Sequence, residues 1–124
     1  MIKGIGIDVV HVQRMARWCK TPGLMERFFH HDELTQAISR GKGAELSLAA
    51  RFAAKEAFGK ALGTGLAGIV LKDIMVTNKH NGKPEIKVMG TALEALEESG
   101  ANKVHLSLTH EKDSAVAMVV LETI

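Results

Sequence analysis

The sequence contains no tyrosine, one tryptophan, one cysteine and two prolines. The single cysteine, Cys19, cannot close a disulfide within the chain, and a metal held by several thiolates is ruled out. Aromatics make up only 4% of the residues, so the core is expected to be aliphatic and partly filled by the six methionines. No apolar run approaches the roughly 20 residues of a membrane span, and no basic stretch leads into a long apolar one as in a secretory signal. The expectation is a soluble, cytoplasmic protein without membrane association. Repeats, linkers and low-complexity segments are also missing. The 46% of hydrophobic and 24% of charged residues exclude a disordered chain. One domain over residues 1–124 can bury roughly two-thirds of its unfolded surface without a staple.

The net charge of +2 hides an asymmetry, with ten basic and six acidic residues in 1–62 but six and eight in 63–124. Between Val9 and Met25, Arg14, Arg17 and Lys20 meet no acidic residue. Such a stripe suits an acidic partner, because opposite fields steer encounter. Nucleic acid is the weaker candidate, since nothing interleaves aromatics with the basic residues.

Ile2, Ile5 and Ile7 predict a first strand ending at Asp8, with Gly4 and Gly6 admitting another backbone or a ligand. Helices are expected over Val9–Lys20, over Leu24–Phe29, and from an Asp32 cap to Arg40. The strongest helix is Ala44–Leu62, stopped by Gly63-Thr64-Gly65. Ile69–Thr77 and Glu85–Met89 read as strands around an Asn81-Gly82 turn, Thr91–Ser99 as a helix, and Val104–Leu108 with Ala115–Leu121 as a closing antiparallel pair. The fold class is α+β, an antiparallel sheet packed with helices.

In the long helix Arg51 and Lys55 are like charges one turn apart, an arrangement that costs a few tenths of a kcal/mol unless an anion lies nearby. Glu56 and Lys60, also one turn apart, can form an ordinary intrahelical ion pair. Gly63-Thr64-Gly65 offers backbone N–H groups to an anion, although a glycine pair is more often only a helix stop. Asp8 and Glu56 together would make a carboxylate pair for Mg²⁺, which takes one or two carboxylates beside phosphate oxygens and water. Asp8 capping the next helix accounts for it equally well. His105 and His110 flank a strand without any zinc spacing, and neither a Walker loop nor a nucleophile elbow is present.

Ile5-Gly6-Ile7-Asp8-Val9-Val10 and the block from Arg51 to Gly65, RFAAKEAFGKALGTG, closely resemble the holo-acyl-carrier-protein synthases, small bacterial 4′-phosphopantetheinyl transferases. Asp73-Ile74, Asn81-Gly82-Lys83-Pro84 and His105-Leu106-Ser107-Leu108-Thr109-His110-Glu111 support the resemblance, which spans the chain in order. His11 departs from it, where the family usually has Glu. The resemblance implies transfer of the 4′-phosphopantetheine arm of coenzyme A to a serine of apo-acyl carrier protein, with release of 3′,5′-ADP, in support of fatty acid biosynthesis.

By the same resemblance Asp8, Glu56 and Lys60 are catalytic, and Asp8 and Glu56 hold Mg²⁺. Glu56 or a water at the metal takes the serine proton. Arg51, Lys55, Gly63, Gly65, Asn81, Lys83 and His110 bind coenzyme A. A homotrimer with intersubunit active sites is implied, and the carrier protein docks on Arg14, Met15, Arg17 and Lys20, helped by Trp18. Two other readings compete: a non-catalytic coenzyme A-binding module, which would require loss of Asp8, Glu56 or Lys60, and a purely structural trimer. Within the activity, a carrier domain of a polyketide or peptide synthetase is the alternative acceptor.

Overall fold

Small residues on two facing surfaces set how closely the central helix and the sheet approach. The computed structural model describes all 124 residues. In chain order the elements are β1 (Ile2–His11), α1 (Val12–Cys19), α2 (Leu24–Phe28), α3 (His31–Ile38), α4 (Ala44–Leu62), β2 (Ile74–Asn78), β3 (Pro84–Val88), α5 (Gly90–Glu98), β4 (Lys103–Glu111) and β5 (Ser114–Glu122). Single 3₁₀ turns at Gly41–Gly43 and Leu71–Asp73 precede α4 and β2. β1, β5 and β4 form an antiparallel sheet in that order, and β2 pairs with β3 in a separate hairpin.

Along β1, Gly4, Gly6, Asp8 and Val10 face inward while Ile5, Ile7 and Val9 face out, as the two-residue period of a strand requires. A Cβ on Gly6 would lie 1.9 Å from the carbonyl oxygen of Ala57, and one on Gly4 1.9 Å from that of Ala61. The backbone admitted by the two glycines is therefore that of α4. Ala115 and Ala117 continue the row of small inward residues on β5, opposite Val10 and Asp8. α4 buries Ala53, Ala57, Ala61 and Phe58 as well as Leu48 and Phe52, so it runs through the core rather than over it.

β1 does not end at Asp8. Its pairing with β5 continues to His11 opposite Ser114, and the Val12 N–H then donates to the Asp113 carbonyl at 2.9 Å. Long-range pairing overrides the local helical pattern, so α1 starts three residues later than the sequence suggests. Its N-cap, His11, makes no side-chain cap bond, and Asp8 caps nothing. α3 is capped not by Asp32 but by His30. Its Nδ1 accepts from the Asp32 N–H at 3.0 Å, while Glu33 Oε1 accepts from the His30 N–H at 3.0 Å.

The β2–β3 connection is the five-residue loop 79–83 rather than a two-residue turn, and β2 begins only at Ile74. The buried core is mostly aliphatic, as expected, but it is not filled by methionine. Trp18, Phe28 and Phe29 all pack on Phe52, with ring centroids 5.0, 5.7 and 6.5 Å away, and only Met15 and Met25 of the methionines are buried. Few aromatics suffice because they are gathered where α1, α2 and α4 meet.

Candidate active site

Asp8 is carried to α4 by strand alternation, since it shares the inward row with the two glycines. Its Oδ1 accepts from Lys60 Nζ at 2.9 Å, and Lys60 also donates to the Ile7 carbonyl at 3.1 Å. Lys60 is thus bonded across elements rather than to Glu56 one turn back. Glu56 lies close enough to Asp8 to feel its charge. Burial and the Asp8 carboxylate push Glu56 above the ordinary carboxylate range, against the pull of Lys60 and Arg14.

Asp8 still raises Glu56 although Lys60 is paired with it, and a hard dication between the two carboxylates would relieve that repulsion. No group of three or more His, Cys, Asp and Glu side chains gathers anywhere in the chain. Two carboxylates are too few for a closed structural metal site, and they are the number Mg²⁺ would take beside phosphate oxygens and water.

A separate cavity of about 690 Å³ opens between α4, the β2–β3 hairpin and the end of β4. Arg51 and His110 line it, as do Arg40, Asn78, Gly82 and Pro84, while Leu46, Ala50 and Leu108 give it apolar walls. None of its thirteen lining residues is acidic, and none is Asp8, Glu56 or Lys60. The chemistry suits an anionic ligand with a flat apolar portion. Arg40 and Asn78 escaped the sequence reading. Arg40 beside the Gly41-Lys42-Gly43 loop was the available signal, whereas Asn78 carried none.

Several expected ligands lie elsewhere. Lys55 is fully buried and donates to Glu33 Oε1 at 2.8 Å, to the Leu71 carbonyl at 3.0 Å, and to the Ile74 carbonyl. All three ammonium protons are engaged, which corrects the expectation that Lys55 binds a ligand. Burial pulls this ammonium below its ordinary value, while Glu33 opposes by charge and hydrogen bond. Glu33, unnoticed in the sequence, is the anion that Lys55 requires, with Arg51 4.0 Å from the same carboxylate.

The N–H groups of Gly63 and Gly65 are likewise donated already, to the carbonyls of Lys60 and Gly59, each at 3.0 Å. With φ of +83° and +68° these glycines end α4 and turn the chain, so their amides are not free to cradle a phosphate. Asn81 Oδ1 accepts from the Lys83 N–H at 3.1 Å within the hairpin loop, and neither residue lines the cavity. Met15 is completely buried and can offer no surface to a partner, which corrects that expectation as well. Arg17 and Lys20 are exposed, and Arg14 lies over the Trp18 ring with its guanidinium carbon 5.7 Å from the centroid. His11, Gln13, Arg14 and Arg17 border a shallow groove free of acidic residues.

No helix is long and apolar enough to cross a membrane. Residues 4–119 match the family model of the 4′-phosphopantetheinyl transferase superfamily. A holo-[acyl-carrier-protein] synthase of Treponema denticola is 57% identical over 122 residues, covering 98% of this chain and 99% of that protein. One of Trichlorobacter lovleyi is 49% identical over 125 residues, covering 98% of each. The crystal structure of the Neisseria meningitidis holo-[acyl-carrier-protein] synthase superposes with a TM-score of 0.88 at 39% identity, covering 99% of this chain and 100% of that one. A Bacillus anthracis synthase in complex with CoA (3′,5′-ADP) gives a TM-score of 0.83 at 37% identity, covering 100% and 99%. The inward Asp8 of a glycine-bearing strand beside Glu56 of α4, the acid-free cavity and these full-length likenesses agree: the chain belongs to the 4′-phosphopantetheinyl transferase superfamily, among its holo-[acyl-carrier-protein] synthases.

Proposed function

We propose that the chain transfers 4′-phosphopantetheine from coenzyme A to a serine of apo-acyl carrier protein in the cytoplasm, serving fatty acid biosynthesis. The observation that carries this reading is the convergence of Asp8, Glu56 and Lys60 where β1 crosses α4. The serine Oγ forms a new bond to the β-phosphorus of the coenzyme A pyrophosphate. The bond from that phosphorus to the bridging oxygen breaks, and its electron pair leaves on 3′,5′-ADP. Glu56 has its proton affinity raised by burial and by Asp8, which suits it to take the serine proton. Lys60 lies beside Asp8 and stabilises charge growing on the departing phosphate. Mg²⁺ held by Asp8 and Glu56 would neutralise pyrophosphate charge and favour its departure. The acid-free cavity, with Arg40, Arg51 and His110, takes the phosphate and adenine end of coenzyme A.

The cavity and the three catalytic residues occupy different parts of one chain. This separation supports a homotrimer in which the cavity of one copy faces Asp8 and Glu56 of the next. So does the outer face of the sheet, where Ile5, Ile7 and Val9 are 62%, 59% and 53% exposed and Met118 42%. The basic groove along α1, with Arg14 and Arg17, and the exposed Lys20 at the end of the helix support docking of an acidic carrier. Mass spectrometry of apo-acyl carrier protein incubated with the chain, coenzyme A and Mg²⁺ tests the reading. A gain of one phosphopantetheine is expected. Coenzyme A binding without that gain would instead favour a non-catalytic module.

A further inference from the structure

A buried guanidinium in the wall of the cavity is held by a serine of its own helix, a carbonyl of β2 and one side chain from α3, and that last partner lies on the protein surface. Arg51 is 3% exposed. Its Nη1 donates to the Val76 carbonyl at 2.5 Å, its Nη2 to Gln36 Oε1 at 3.0 Å, and its Nε to Ser47 Oγ at 3.3 Å. Guanidinium has five N–H donors in one plane, so two remain for a ligand, and their direction is fixed by the three already spent. The Val76 and Ser47 contacts hold Nη1 and Nε, the latter at a long 3.3 Å, and leave Nη2 without a partner of its own. Gln36, on the exposed side of α3, supplies the one contact to Nη2 and completes the three-point hold on the plane.

The surrounding charges explain why orientation matters. Glu33 carries one negative charge against the two positive charges of Arg51 and Lys55, and all three are buried. Lys55 takes the closer contact, at 2.8 Å, and Arg51 is left 4.0 Å from the carboxylate. One positive charge is therefore uncompensated, and it lies on Arg51, beside a cavity without a single acidic residue. An anion in the cavity completes the balance, and the geometry of Arg51 decides how well it does so.

We infer that Gln36 is a positioning residue for coenzyme A: its side-chain oxygen holds the Arg51 guanidinium aimed at a phosphate of the bound substrate. This inference rests on the reading of the cavity as the coenzyme A site. Gln36 touches no reacting atom and acts only through Arg51.

Steady-state kinetics with both substrates, on the full-length protein, tests it. Gln36→Ala is expected to raise the KM for coenzyme A about three- to tenfold, the range for loosening one hydrogen bond to a charged group. The KM for acyl carrier protein and the melting temperature are expected to stay unchanged. Gln36→Glu keeps the acceptor oxygen but adds a carboxylate that compensates the Arg51 charge, and is expected to leave the KM for coenzyme A raised. In an Arg51→Met background Gln36→Ala should add nothing, since a residue acting through Arg51 has no target once it is gone. A parallel rise in both KM values with a lower melting temperature would show a merely structural residue and overturn the inference. Arg40→Ala, at the exposed rim, reports on the cavity itself. If coenzyme A binding weakens in Arg40→Ala but not in Gln36→Ala, the positioning role falls and the cavity reading stands. If neither variant changes it, both fall.

Discussion

Glu56 combines a functional demand with a cost to the fold. Burial and Asp8 raise its pKa in the folded protein. An acid that binds its proton more tightly folded than unfolded contributes stability that declines as pH climbs from the ordinary carboxylate range through the raised value. At pH 7 its charge is a net burden. Glu56→Gln is therefore expected to melt no lower than the parent at pH 7, while transfer activity falls by at least about 100-fold through loss of a base and metal ligand. Thermal melts beside the mass assay check both halves, and a lower melting temperature would contradict the electrostatic account. Removing the neighbouring charge reads the cause directly. In Asp8→Asn the Glu56 carboxyl should titrate at lower pH than in the parent, as followed by its carbon chemical shift. Arg14→Ala should move it the other way, because Arg14 holds the value down.

At the scale of elements, the contact of β1 with α4 both builds the core and assembles the site. Asp8 meets Lys60 only because Gly4 and Gly6, on the same face, let the strand lie against the helix backbone. Gly6→Ala puts a methyl group 1.9 Å from the Ala57 carbonyl oxygen, so strand or helix must move. A loss of about 3 kcal/mol is expected in urea unfolding, with activity reduced even in the folded fraction. An ordinary melting curve for Gly6→Ala would refute this tight seam. The outer edge of β2 shows a related economy. No strand pairs there, and the Ile74 carbonyl, the Val76 N–H and the Val76 carbonyl are met instead by Lys55, Glu33 and Arg51. Three buried charges thus do the work of a missing strand and anchor the hairpin that walls the cavity. α1 belongs to the surface. Arg17 is exposed and is not among the groups that shift Glu56. Arg17→Ala is expected to raise the KM for the carrier protein about three- to tenfold and flatten its salt dependence while leaving coenzyme A binding as it was. An unchanged salt dependence would remove α1 as the docking helix.

For the whole molecule the question is how two separated half-sites act together. In the proposed trimer, the sheet face that leaves Ile5, Ile7, Val9 and Met118 exposed is the one that meets further copies. Ile7→Asp is expected to sediment as a monomer and to lose transfer activity while keeping its secondary structure. Complementation gives a sharper result. Asp8→Asn spares the cavity, and an Arg40→Ala/His110→Ala double variant spares the carboxylates. Each alone should be nearly inactive, and mixed subunits should regain activity because some interfaces then pair two intact halves. A mixture as inactive as its components would mean that each chain works alone.

Much of this was already legible in the sequence. Composition and period gave the class, the glycine-bearing strand and the full extent of the Ala44–Leu62 helix, because local propensity and burial agree there. The motifs gave the family and singled out Asp8 and Glu56, the carboxylates proposed as catalytic, since those residue types answer to chemistry that does not depend on where the chain turns. What escaped depended on partners distant in sequence. β1 ran on to His11 because β5 continued to pair with it, and Met15 went inward because the face of α1 is chosen by what packs beneath it. Lys55 proved to be structural because Glu33, 22 residues away, reaches it inside the core. A charge pattern records that an anion is required but not from which side it comes. The near absence of cysteine, proline and aromatics limited the means of holding this chain together; the tertiary structure alone decided that buried charge and bare backbone contact would take their place.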